Sequence, residues 1–287
     1  MKILLSSSAK SLRTALNTYA STATVEAEYG DEVVEGTAAT LAHHGSRAEN
    51  PCPCLCTPAE AGKIDVFGIS HVDLDTIGGI LGLLGKRPGP MSFWTLAASV
   101  DLHGPHKLNE SGASPEDLAR LYAWWSWSET HRCNAPRDGS VADVTDCVAD
   151  ATETLVSILD DDPEMLARGA EWHAKKEELN KNSFFECRSD VIVRIHKEFV
   201  NGLYTDPNGC PARAVVGYNP EKGSVTISLA DPTPGVSCAE IARVLWGPLA
   251  GGHPGIAGSP RGEEMCVSEL ARARDAMVAV LWGARHD

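Results

Sequence analysis

Phe67-Gly68-Ile69-Ser70-His71-Val72-Asp73-Leu74-Asp75-Thr76-Ile77-Gly78-Gly79-Ile80-Leu81-Gly82-Leu83-Leu84 is the stretch that organises the chain. Its beginning belongs to a short apolar run, Ile64 to Ile69, that reads as a buried strand, and its end reads as a packed helix. Between them one imidazole and two carboxylates fall at alternate positions. A segment leaving the end of a strand can aim all three side chains into one pocket. Imidazole nitrogen and carboxylate oxygen are ligands for Mn, Zn or Fe, and carboxylate with water suits Mg or Mn. His71, Asp73 and Asp75 are therefore expected to be metal ligands, and Gly78 and Gly79 to let the helix begin close to whatever is bound. The competing reading is that the acids cap the helix and His71 is a satisfied loop histidine.

Composition sets the bounds. The chain has 287 residues, of which 43% are hydrophobic, enough for one large domain or two ordinary ones. A net charge of −14 repels a nucleic-acid backbone, so no long nucleic acid is expected as a partner, whereas a small anionic substrate held through metal ions is allowed. Nine scattered cysteines without a secretion signal point to a cytoplasmic protein with mostly free thiols. No apolar run approaches the ~18–20 residues of a membrane span, so no membrane partner is expected.

Outward from the central stretch, Lys2–Ser6 reads as a strand and Leu12–Tyr19 as a short helix. Thr24–Tyr29 alternates and turns at Gly30-Asp31 toward Val33–Glu35. Thr37–Ala42 reads as a strand running into His43-His44-Gly45-Ser46, a second candidate ligand cluster. Cys52, Cys54 and Cys56 lack the paired spacing of a structural zinc site and read as packed or free thiols. Downstream, Phe93–Val100 reads as another strand ending in Asp101-Leu102-His103-Gly104-Pro105-His106. Ligand-type residues after two strands, with a helix between, follow the logic of a parallel sheet whose site forms at the strands' carboxyl ends.

Ser114-Pro115-Glu116-Asp117 opens a helix with Ser as cap and Pro in its first position. Val141–Leu159 and Pro163–Asn180 read as helices. From about residue 186 the chain becomes β-rich: Val191–Ile195, Ala212–Tyr218 and Ser224–Leu229, with a hairpin turn at Asn219–Gly223. A short helix, Cys238–Trp246, leads to a glycine-rich loop, Gly251 to Gly262, with His253 and Arg261. Such a loop can wrap a phosphate or carboxylate through backbone N–H groups. Glu263–Ala284 reads as helical.

Two separated parts resemble the DHH phosphoesterases with a C-terminal DHHA1 domain. Ser70-His71-Val72-Asp73-Leu74-Asp75-Thr76-Ile77-Gly78-Gly79 is similar to that family's first metal motif. The run from Ser224 through Gly251-Gly252-His253 to Ala257-Gly258 resembles the DHHA1 ending. The resemblance implies an α/β fold: a parallel-sheet metal-binding catalytic domain over residues 1–185, a smaller C-terminal α/β substrate-binding domain over 186–287, and an active site in the cleft between them. It implies a divalent metal, Mn²⁺ with Zn²⁺ or Fe²⁺ as alternatives, held by His71, Asp73, Asp75, Asp101 and His106. His43, His44 and His103 would be catalytic, and Gly251, Gly252, His253 and Arg261 would contact the substrate. The activity implied is hydrolysis of a small anionic, phosphate-containing substrate through a metal-bound water.

The family's Asp-His-His triplet does not follow the second motif. Asp101-x-His103-x-x-His106 is a stretched imitation of it. Ala42-His43-His44-Gly45 keeps both histidines but lies upstream of the central stretch. If His43 and His44 do that job, the core's strand order is permuted. Two other functions share the ligand chemistry: a metal-dependent amide or ester hydrolase, and a non-catalytic binding relative. The metallo-β-lactamase motif is also similar, but Asp73 and Thr76 stand where it has histidines. The deacetylase His-Pro-Asp-Asp motif lacks its Pro and adjacent acids here.

Overall fold

A computed structural model describes residues 1–30, 32–44, 47, 49–56, 63–260 and 262–283. Asp31, Gly45, Ser46, Arg261 and Ala284, named above, lie outside the described residues. The chain divides into two compact units: Met1–Leu102 with Glu110–His173, and His103–Asn109 with Ala174–Asp287. The division follows His173 rather than residue 185.

The first unit is a mixed α/β layer structure. In chain order it holds β1 (Lys2–Ser6), α1 (Ala9–Leu16), β2 (Thr22–Val25), a small hairpin of β3 (Glu28–Tyr29) and β4 (Glu32–Val33), then β5 (Ala39–Leu41). A single 3-10 turn at Pro53–Leu55 precedes β6 (Val66–Ile69), α2 (Leu74–Leu83), α3 (Met91–His103), α4 (Pro115–Ser128), β7 (Val141–Asp143), α5 (Thr145–Leu159) and α6 (Pro163–Ser183), whose last turns belong to the second unit. The sheet order is β5-β2-β6-β1-β7. The first four strands run parallel and β7 pairs antiparallel with β1. Both faces are covered. Ile3, Leu5, Val25, Phe67 and Ile69 pack with Ile80 and Leu83 of α2 on one side. Leu4 and Val66 pack with Leu12 and Leu16 of α1 on the other. This explains why the strands read as nearly continuous apolar runs.

The structure corrects several expectations in this unit. Phe93–Val100 is not a strand but the body of α3. A short, mostly apolar run suits a buried strand or a buried helix equally, and here Ala97 and Ala98 favour the helix. Thr24–Tyr29 is not one strand. It breaks at Glu26, whose φ of 51 is uncommon for a residue with a side chain and turns the chain into the β3–β4 hairpin. Val141–Leu159 is not all helix, because Val141–Asp143 completes the sheet beside β1. Cys133 and Cys147 are joined by a disulfide, and the other seven cysteines are free.

The second unit carries β8 (Phe184–Arg188), β9 (Val191–Ile195), β10 (Ala214–Asn219), β11 (Ser224–Leu229), α7 (Cys238–Trp246), β12 (Gly251–His253), β13 (Ile256–Gly258) and α8 (Val267–Gly283). Its sheet order is β12-β13-β11-β10-β9-β8, with α7 and α8 packed against one face. Arg194 is fully buried there, and its donors reach the carbonyls of Asn180, Leu203 and Thr205 and the side chains of Asn180 and Ser183. Residues 251–258 of the glycine-rich run form a two-stranded hairpin rather than a wrapping loop. Gly252 pairs with Ala257, and a Cβ on Gly252 would stand 2.7 Å from the Ala257 Cα. Among the described residues no helix is long and apolar enough to cross a membrane.

Gly78 and Gly79 do not clear space for a ligand. They let α2 lie against the Cys52–Cys56 turn and α3. A Cβ at Gly78 would meet the Cys54 Cβ and the Trp94 Cζ3, both at 2.5 Å, and one at Gly79 would meet Val25 and Pro53. Gly78→Ala is expected to lower unfolding free energy by about 1–3 kcal/mol, the usual cost of overpacking, read as a lower urea midpoint. An unchanged midpoint would contradict this close approach.

Candidate metal centre

The carboxyl ends of three parallel neighbours, β5, β2 and β6, bring their following residues to one sheet edge. Glu26 follows β2, His43 and His44 follow β5, and His71, Asp73 and Asp75 follow β6. Asp101 arrives from the last turn of α3. Of the residues expected from sequence, the structure thus gathers His43, His44, His71, Asp73, Asp75 and Asp101 within the first unit.

The centre of the cluster is the Nε2 atom of His43. It stands 3.3 Å from Glu26 Oε1, 3.4 Å from Asp75 Oδ2 and 3.1 Å from Asp101 Oδ2. None of these four atoms has an acceptable hydrogen bond among the described residues, and all four are buried. Asp75 is held from behind, its other oxygen accepting from the backbone N–H of Cys54 at 2.9 Å. Glu28 pins the histidine pair by accepting from the backbone N–H groups of His43 and His44, at 3.3 and 2.9 Å. His44 Nε2 lies 3.0 Å from Glu26 Oε2.

Asp73 serves both readings given above. Its Oδ1 accepts from Thr76 N at 2.8 Å and caps α2, while its Oδ2 faces His71 Nε2 at 3.1 Å. His71 Nε2 also stands 4.0 Å from Glu26 Oε2.

The electrostatics follow from burial. Desolvation pushes Glu26 up to about 8, opposed by His43 and reinforced by Asp75. Burial works against a charged His43, but Asp101, Asp75 and Cys52 outweigh it and push its pKa up to about 12. His71 is likewise pushed up to about 8, burial being outweighed by Asp73. Burial would raise Asp73, but His71 and the Thr76 N–H hold it below the usual carboxylate range.

Among the described residues, two groups offer donor atoms all within 4.8 Å of one another: Glu26, His43 and His44, and His43, Cys52 and Asp101. Buried carboxylates without partners are costly, and a divalent cation satisfies them. The oxygen and nitrogen donors suit Mn, Fe or Zn. The residues present therefore fit a metal ion.

The remaining expected residues lie in the second unit. His103 is exposed at the end of α3. Gly104, at φ 80, turns the chain beyond it. His106 faces Asp231 Oδ1 at 3.6 Å and packs edge-on against Tyr204. Gly251, Gly252 and His253 lie on β12, with His253 exposed. Arg261 lies outside the described residues. Sequence reasoning missed Glu26, Glu28 and Cys52. The one local signal was a carboxylate, Glu26, between Val25 and Ala27 at the end of an apolar run.

No family model and no curated protein matches the chain. Among solved structures, an uncharacterized protein from Helicobacter pylori G27 is similar over 85% of this chain and 74% of its own length, at 12% identity and a TM-score of 0.23. That similarity carries no argument about this chain.

Asp75→Asn keeps an acceptor for the Cys54 N–H but removes a charge from the cluster. Metal-free, the variant loses both the repulsion between Asp75 and Glu26 and the attraction of Asp75 for His43, so the deciding quantity is the rise that metal produces. Mn²⁺ or Zn²⁺ at about 100 times its Kd should stabilise the wild type by about 2.7 kcal/mol and the variant far less. An equal metal-induced rise in both, measured by differential scanning calorimetry, would remove Asp75 from the ligand set.

Proposed function

We propose that this chain is a metal-dependent hydrolase of the DHH-phosphoesterase type, acting on a small anionic, phosphate-containing substrate. The observation that carries the reading is the buried, unpartnered set of Glu26 Oε1, His43 Nε2, Asp75 Oδ2 and Asp101 Oδ2. The order of elements adds support. The histidine pair comes before His71-x-Asp73-x-Asp75 in sequence, yet β5 and β6 are parallel and flank β2. A permuted chain can thus keep the family's metal residues on one edge, the place where sites form in open α/β sheets.

In this reading Glu26, His43, Asp75 and Asp101 hold the cation, with His44, His71 and Asp73 on the more open side. A divalent cation there activates water and offsets charge on an anionic substrate. Asp73 Oδ2 lies beside His71 Nε2 at 3.1 Å, so the two would face the cation together. His44, half exposed beside Glu26, is the group available to take or return a proton at Nε2. The seven free thiols suit a cytoplasmic setting.

The test is elemental analysis of protein purified without chelator, followed by a substrate panel. The expected result is stoichiometric Mn, Fe or Zn and release of inorganic phosphate or a nucleotide. Asp75→Ala should lower turnover by at least about 10²–10³-fold, the scale of losing one preorganised charge-stabilising group. Release of an acid or amine instead would replace the phosphoesterase with an amide or ester hydrolase. Tight ligand binding without turnover under any metal would leave a binding protein.

A further inference from the structure

His43 and His71 share an arrangement on the ring edge turned away from the carboxylates. His43 Nδ1 lies 3.6 Å from Cys52 Sγ, and Cys52 Sγ lies 3.8 Å from the Ala98 carbonyl oxygen. His71 Nδ1 lies 2.9 Å from Ser70 Oγ, and the Ser70 hydroxyl donates to the backbone carbonyl of Glu26. A carbonyl oxygen can only accept. The thiol and the hydroxyl therefore each give their one hydrogen to a carbonyl, and what remains on each can only accept. The nitrogen facing it must bear a proton. Both relays thus have one polarity: Nδ1–H donates outward, and Nε2 is turned to the carboxylates.

The two relays are built from different elements. Cys52 precedes the Pro53–Leu55 turn and Ala98 lies on α3. Ser70 ends β6 and Glu26 ends β2. A lone pair on Nε2 set 3.1 Å from Asp101 Oδ2, or from Asp73 Oδ2 at the same distance, is repulsive unless a cation or a proton lies between.

Building on the proposed metal centre, we infer that Cys52 and Ser70 are positioning residues that hold His43 and His71 in the Nδ1–H form, so that Nε2 of each is the nitrogen offered to a divalent cation. A ligating histidine needs such an outer partner to fix its tautomer and ring angle. Cys52 is not itself a ligand. Its sulfur sits at Nδ1, while the unpartnered carboxylate oxygens gather at Nε2. Its neighbours behave alike: Cys54 donates to the Trp94 carbonyl and Cys56 to the Gly79 carbonyl. The alternating cysteines are thus thiol donors to backbone, one of which also receives a histidine.

The experiment uses the ¹⁵N-labelled full chain, metal-free and Zn²⁺-loaded, as wild type, Cys52→Ser, Cys52→Ala and Ser70→Ala. In the wild type the His43 Nδ1–H proton should exchange slowly with water in both states, and zinc should shift the Nε2 resonance. Cys52→Ala should weaken Zn²⁺ binding about 10–100-fold, read by competition with a chromophoric chelator. Cys52→Ser keeps one donor and one acceptor and should return affinity to within a few-fold of wild type. Ser70→Ala should weaken binding independently and expose the His71 Nδ1–H to exchange.

Zinc on Nδ1 of His43 would overturn the inference. So would Cys52→Ser binding no better than Cys52→Ala while both keep the wild-type near-UV circular dichroism. A Co²⁺ complex with a sulfur-to-metal charge-transfer band that Cys52→Ser loses would make Cys52 a direct ligand and also overturn it. If the wild type takes up no cation, the hydrolase reading fails separately. The relay then stands or falls on the metal-free Nδ1–H resonance and its loss in Cys52→Ala.

Discussion

One imidazole nitrogen facing three carboxylate oxygens inside the protein is the constraint to which the rest of the first unit answers. Carboxyl groups brought together out of water oppose folding: burial pushes Glu26 up to about 8, and His43 faces Asp75 and Asp101 as their shared partner. The surrounding structure over-determines each of these groups. Cys54 N–H holds Asp75, Glu28 holds the backbone of both histidines, and Glu26 itself keeps a left-handed φ that it would not choose in isolation. Strain kept in place by its surroundings is commonest where it serves a site.

The sheet makes this possible because its strands point the same way. β5, β2 and β6 are each short; β2 and β6 give way at once to Glu26 and Ser70, and β5 reaches His43 after Ala42. The edge, not the chain order, decides which residues meet. A histidine pair and a His-x-Asp-x-Asp segment separated by a proline- and cysteine-rich connection therefore reach one place. The same connection turns back through the Pro53–Leu55 turn to lie on α2, where Gly78 and Gly79 have no side chains to hold it off.

What the sequence revealed depended on how local the signal was. His71, Asp73 and Asp75 are legible because one strand-to-helix junction places all three. β6, α2 and α7 are legible from unbroken patterns, and α4 from its Ser114-Pro115 start. Asp101 is legible only at the end of a run that reads as a strand, since a short, mostly apolar run looks alike in a buried helix and a buried strand. Glu26 and Cys52 were not legible as site residues. Each acquires its meaning from partners distant in sequence, Glu26 from His43 and Asp75, Cys52 from His43 and Ala98. The split of Val141–Leu159 into strand and helix was hidden for a related reason: Val141–Asp143 is a strand only because β1 offers it a partner.

That last pairing has a consequence for solubility. A parallel sheet leaves a row of unpaired backbone N–H and C=O groups on each outer strand, a template for joining another chain. Here β1 would be such an outer strand, apolar on both faces. β7 covers it with three residues, Val141–Asp143, too short to serve as a template itself, and its Asp143 is paired with Lys2 at 3.3 Å. At the opposite side β5 is equally brief. The sheet therefore ends in two strands of three residues each, which offers little edge for another chain to join.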